Sequence, residues 1–154
     1  MPTPSIENNP LIGIWKLISV IAIQSDGMIN SEVYGTHPVG YITYTLDGHI
    51  MVMFSRSDRS LLSQEVQSPL SPEMQSLPTE ELAQAFTTFN AYAGTYTLNG
   101  NTVTHQIEIA SIPNRVGTML VRTLTLSESR LTLKTPPVLS DGVETVFELV
   151  WERI

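Results

Sequence analysis

The sequence predicts an all-β protein: one antiparallel, up-and-down β-barrel of about 8–10 strands with a single α-helix inserted mid-chain. Three observations lead there. The polar residues are of the strand kind: 17 Thr and 15 Ser stand against 23 charged residues in a chain of 154. Thr suits the half-buried face of a strand, whereas Lys and Glu suit a helix surface. Apolar runs rich in Val and Ile recur along the chain, separated by Asp-Gly or Asn-Gly pairs that tolerate positive φ and mark hairpins. Sequential hairpins make a meander, and one of this many strands closes on itself to remove its edges.

Residues 1–12 read as an N-terminal tail with three prolines, and the barrel domain is expected over 13–154. The first strand, 13–23, ends at Ser25-Asp26-Gly27, and a weaker strand follows over 28–34. Runs 39–46 and 49–55 form the clearest hairpin, around Asp47-Gly48. A two-residue turn there would pair Tyr44 with Met51 and Ile42 with Met53, all on one face. Residues 56–78 contain three prolines, are rich in serine and have no sustained apolar period, so they read as a long loop or lid. A helix is expected over 79–93. Thr79 serves as its N-cap, Glu80 and Glu81 face the positive first turn, and Leu82, Ala85, Phe86 and Phe89 make one apolar stripe, with Gly94 as the stop. Runs 95–98 and 102–109 flank Asn99-Gly100, and 118–126 and 131–135 flank a turn over 127–130. Pro136-Pro137 forces a break, and 143–153 closes the barrel after Asp141-Gly142.

Charge and composition narrow the function. Eight basic against fifteen acidic residues give a net charge of −7, with no Lys or Arg cluster, which disfavours nucleic acid and anionic membrane surfaces as partners. No apolar run reaches the ~20 residues of a membrane span. There is no cysteine, hence no disulfide framework and no thiolate nucleophile. His37, His49 and His105 lie far apart without metal-ligand spacing, and no cofactor motif is present, so neither metal nor cofactor is expected. The N-terminus lacks a basic region before an apolar run, so a cytoplasmic protein is expected.

Gly13-x-Trp15, opening the first strand, resembles the Gly-x-Trp signature of lipocalins, in which the Trp packs across the closed barrel end beside an Arg of the last strand. Arg153 could take that place, as a guanidinium over an indole face. Pro38-Val39-Gly40-Tyr41-Ile42-Thr43-Tyr44-Thr45-Leu46-Asp47-Gly48 is similar to the first hairpin of the small intracellular lipocalin-like domain proteins of bacteria and fungi, within the calycin superfamily. Ala91-Tyr92-Ala93-Gly94-Thr95-Tyr96, Val103-Thr104-His105, Pro113-Asn114-Arg115-Val116-Gly117-Thr118, Arg122, Leu131-Thr132-Leu133 and Leu149-Val150-Trp151-Glu152-Arg153 follow the same pattern. The resemblance runs from Gly13 to Arg153. It implies a lipocalin-like calycin barrel and, by analogy, a ligand inside it.

Two ionisable residues alternate with apolar neighbours and are therefore expected to face inward. His105 shares a face with Val103, Ile107 and Ile109, and Arg122 with Leu120, Leu124 and Leu126. Either could anchor a ligand. Either could equally be structural, Arg122 pairing with Glu108, Glu144 or Glu148. Tyr44 and Tyr96 offer hydroxyls on apolar bodies, Met51, Met53, Phe89 and Tyr92 offer adaptable lining, and Asn114 sits in a loop that could reach the mouth. These residues are the candidate ligand site. The expected partner is one small hydrophobic molecule, and weakly charged outer strands leave room for a homodimer. The alternative is a cofactor-independent isomerase or cyclase acting on a polyketide- or terpene-like intermediate of secondary metabolism, a role in which barrels resembling this one occur. His105 would then move a proton and Arg122 would stabilise developing negative charge.

Overall fold

The computed structural model describes residues 9–154, whose ten strands form one antiparallel sheet. In chain order these are β1 (Gly13–Gln24), β2 (Ile29–Asn30), β3 (Val39–Tyr44), β4 (His49–Ser55), β5 (Phe89–Asn99), β6 (Thr102–Ala110), β7 (Met119–Leu126), β8 (Arg130–Lys134), β9 (Val138–Ser140) and β10 (Val143–Arg153). Two helices, α1 (Pro72–Ser76) and α2 (Thr79–Thr87), lie between β4 and β5. The barrel wall runs β1-β3-β4-β5-β6-β7-β8-β10, and β10 pairs back onto β1 from Trp15–Arg153 to Gln24–Thr145. β2 and β9 are short additions beside β1 and β10. The sheet is thus closed, as the strand pattern and the lipocalin resemblance imply. Among the described residues no helix is long and apolar enough to cross a membrane.

One end is sealed by chain that precedes β1. Leu11 is fully buried and its carbonyl accepts from Trp15 Nε1 at 2.8 Å. Asn9 Nδ2 donates to the Tyr96 hydroxyl at 2.8 Å. Arg153 lies 4.1 Å above the Trp15 ring and donates to the carbonyls of Pro10 and Ile12. Gly13 makes this contact possible: its φ is +130° and a Cβ there would sit 2.9 Å from Arg153 Nη1. The expected tail over 1–12 therefore includes a plug from residue 9 onward; residues 1–8 lie outside the described residues.

The first hairpin differs from expectation by one residue. Thr45 N donates to His49 O and the turn is Leu46-Asp47-Gly48, with Gly48 at φ +89°. This three-residue turn pairs Tyr44 with Ile50 and Ile42 with Val52, rather than with Met51 and Met53. A one-residue slip moves a whole strand face. Ile50, Val52 and Phe54 therefore point into the core, while Met51 and Met53 are about half exposed on the outer wall.

The helix also ends earlier than its apolar stripe suggests. α2 stops at Thr87, and residues 89–93, read as helix, are the start of β5. Two successive β-branched threonines are poor helix residues. Thr88 closes the helix through its backbone N–H and hydroxyl, both donating to Gln84 O. Beyond it the period becomes 2: Asn90, Tyr92, Gly94 and Tyr96 turn inward. A bulge between Ala93 and Gly94 against β6 shifts the phase of that strand. Val103, His105 and Ile107 are buried, but Ile109, expected on the same face, is exposed. Segment 56–78 includes α1 and packs against α2, through Ser63 to Glu81 and Arg59 to Ala85 O. It leaves and rejoins the wall where Ser55 pairs with Phe89, at the end opposite Trp15.

Candidate functional site

The other half of the barrel is hollow. A cavity of about 170 Å³ lies between β1, β3, β4, β5, β7, β8 and β10. Ile42, Val52, Phe54, Leu133 and Leu149 supply apolar walls, and Trp151 packs edge-on to Phe54 with ring centroids 6.4 Å apart. Alternation along the strands puts these residues inside. Tyr34 and Arg115 reach the cavity from loops, and Asn90, Tyr92 and Arg122 reach it from the wall. Arg115 belongs to a single 3₁₀ turn over Pro113–Arg115, and its guanidinium carbon lies 5.9 Å from the centroid of the Tyr92 ring.

Behind the cavity wall sits a buried hydrogen-bonded chain of three rings. His105 has no solvent exposure; its Nε2 is 2.7 Å from the Tyr44 hydroxyl and its Nδ1 is 3.0 Å from the Tyr92 hydroxyl. Burial first, and the Arg122 charge second, hold the His105 pKa down at about 3, so the ring is neutral at neutral pH. Burial pushes both tyrosine hydroxyls up, against the opposing pull of Arg122. A neutral imidazole donates from one nitrogen and accepts at the other. Three groups and two bonds leave one hydroxyl hydrogen over. Tyr92 lines the cavity, whereas Tyr44 is 1% exposed. The arrangement that strands nothing has Tyr44 donating to Nε2 and Nδ1–H donating to Tyr92, whose O–H then turns to the cavity.

The sequence-expected residues fall into three groups. Tyr92 and Arg122 line the cavity. His105 and Tyr44 stand behind it, while Tyr96 belongs to the sealed end, where its hydroxyl donates to Thr45 O at 2.8 Å. Met51, Met53, Phe89 and Asn114 are elsewhere: the methionines on the outer wall, Phe89 5.4 Å from the Arg59 guanidinium carbon, and Asn114 exposed in the 3₁₀ turn. Arg122 makes no ion pair with Glu108, Glu144 or Glu148; Glu148 is instead 3.7 Å from Lys134. The pattern gave no reason to single out Asn90, Arg115 or Trp151. Asn90 could have been found as the residue two before Tyr92 on one strand face, and Arg115 as the neighbour of Asn114.

A closed eight-stranded antiparallel barrel, sealed at one end by a Trp–Arg stack and hollow at the other, defines a lipocalin-like class of protein. The family profile described as lipocalin-like domain matches residues 12–154, and the chain belongs to that family. No curated protein matches it. Among solved structures it is similar to an uncharacterized protein from Bacteroides eggerthii DSM 20697, at 11% identity and a TM-score of 0.44, over 94% of this chain and 99% of that one.

Proposed function

We propose that the barrel binds one small, largely apolar molecule in this cavity. The cavity itself supports the reading: about 170 Å³ of space with mostly apolar walls in an otherwise packed core. An apolar void of about 150 Å³ accepts benzene, so the ligand, or the part of it held inside, is about one ring in size. Solvent extraction of purified protein followed by mass spectrometry is expected to release such a molecule. Toluene should raise Tm in a concentration-dependent way. Leu149→Phe, which fills the space, should weaken toluene binding by roughly tenfold or more while the circular dichroism spectrum is kept. No extract and no toluene effect would refute the reading.

A second reading, the cofactor-independent isomerase or cyclase of a polyketide- or terpene-like intermediate, is favoured by the Tyr92–His105–Tyr44 chain beside the cavity. Tyr92, not His105, would then meet the substrate, its O–H giving a proton to one substrate atom while its oxygen takes one back from another as the double bond moves, with His105 orienting the hydroxyl and Arg122 stabilising negative charge that develops on the way. In D₂O the extracted molecule would take up deuterium when returned to the protein, and Tyr92→Phe would abolish the uptake. Equal uptake in Tyr92→Phe would remove this reading.

A further inference from the structure

We propose that the ligand is a carboxylic acid with about one ring inside the cavity, bound as its anion by Arg122 and Arg115 and carrying a second polar group for Trp151 or Asn90. This rests on the binding reading above and gives it a chemical class. The chain carries a net charge of −7 and only eight Lys and Arg residues, yet two of the eight line this one cavity and, among the described residues, no acidic residue does. Among the described residues the Lys and Arg ion pairs are Arg56–Asp58 and Lys134–Glu148, and neither cavity arginine takes part in one. A guanidinium has five N–H donors in a fork that fits a carboxylate. Among the described residues, Arg122 uses one of them, Nη1, on the Val121 carbonyl of its own strand at 3.0 Å, and the Arg115 side chain makes no hydrogen bond. A cation held inside a barrel without a counter-ion is costly. A ligand anion would remove that cost.

Two further polar atoms belong to residues of the same wall. Trp151 Nε1 and Asn90 Oδ1 are buried without a hydrogen-bond partner among the described residues, and both side chains line the cavity. Buried polar atoms ordinarily find partners. Trp151 is 1% exposed and its indole can only donate, so it calls for an acceptor on the ligand. Asn90, 8% exposed, can take a hydroxyl. The free Tyr92 O–H adds a third donor beside the arginines. Donors outnumber acceptors, as an anion requires. The volume limits the enclosed part to about one ring.

Calorimetric titration with benzoate, 4-hydroxybenzoate, benzamide, toluene and inorganic phosphate tests this at pH 7. Benzoate is expected to bind about ten- to a hundredfold tighter than benzamide, with 4-hydroxybenzoate tighter still, and added salt should weaken the acids but not toluene. Arg122→Met should erase the preference for acid over benzamide, while Arg122→Lys restores part of it. If Arg122→Met does not fold, Arg115→Met and the salt dependence of benzoate on the unaltered protein give the answer. Benzoate no tighter than benzamide, a preference that survives both methionine variants, or arginine-dependent binding of phosphate without benzoate would each overturn the proposal. Toluene binding without benzoate binding overturns the acid and leaves the apolar reading standing. Binding of none of the probes overturns both.

Discussion

Gly94→Ala is expected to destabilise the barrel by on the order of 3 kcal/mol, the upper range of overpacking in a core. An alanine Cβ at this position would lie 1.8 Å from the Gln106 carbonyl oxygen and 3.1 Å from the Glu108 nitrogen. Those are backbone atoms of the neighbouring strand, so no side-chain rotation relieves the clash. The bulge that turns Ile109 off the face shared by Val103, His105 and Ile107 sits at this contact. Tm should fall by roughly 10 °C for a domain of this size. Gly48→Ala is the control. Gly48 has φ +89° but, among the described residues, nothing within 4 Å of an added Cβ, so it loses only conformational ease, about 1 kcal/mol. Thermal melts that rank the two variants equally would contradict the role given to the close approach at Gly94.

The second large effect is acid sensitivity centred on His105. Its folded pKa is about 3, below the 6.5 of a free imidazole. The unfolded chain therefore binds a proton that the folded one refuses between these two values, and folding stability falls as the pH drops through that window. The stabilisation is complete above about pH 6.5 and is lost progressively toward pH 3, by on the order of 4 kcal/mol. Burial is the larger cause, and the Arg122 charge adds to it. Asp47 behaves differently: hydrogen bonds from Thr45 and His49 lower its pKa below 3.8, so its own contribution disappears only below about pH 4. Urea melts at pH 7, 6, 5 and 4 should show stability declining steadily in the unaltered protein. His105→Gln keeps a donor and an acceptor between the tyrosines but cannot charge, and its curve should be nearly flat down to pH 4. Parallel slopes in the two proteins would show that His105 is not the group responsible.

Much of this barrel is legible in the order of its residues, and the misreadings have local causes. Alternation and Asp-Gly or Asn-Gly turns locate the long strands, because each turn needs positive φ and each wall strand has one wet and one dry face. Gly13, Trp15 and Arg153 announce the sealed end because the backbone at 13 takes φ +130°, which favours glycine, beside a guanidinium stacked on indole. Met51 and Met53 are misread because turn length decides strand phase. Leu46-Asp47-Gly48 and the two-residue Asp47-Gly48 turn differ by one residue, and that difference exchanges the two faces. Ile109 is misread for a related reason, since a bulge at Gly94 is invisible until the neighbouring strand is in place. Phe89 continues a helical stripe by coincidence of spacing, although the threonines before it have already ended the helix. Arg122 is legible as an inward cation, but that no acidic residue among the described residues pairs with it is a fact of three-dimensional arrangement. Asn90, Arg115 and Trp151 meet Arg122 only because four separate segments converge on one hollow.

The pairing of β1 with β10 bears on how the molecule is made. Ile12 and Arg153, joined at this seam, are 141 positions apart. Bringing ends that distant together costs about 4 kcal/mol of chain entropy, and little of the return arrives before the seam zips. Hairpins such as β3–β4 and β5–β6 can assemble early from near neighbours, while the ring closes late. Until then β1 and β10 present two long, apolar, unpaired edges, each able to find the same edge on another copy. Refolding is therefore expected to be slow, with losses that grow with protein concentration. The plug around Leu11 and Arg153 acts as a latch that holds the ring shut once it has closed.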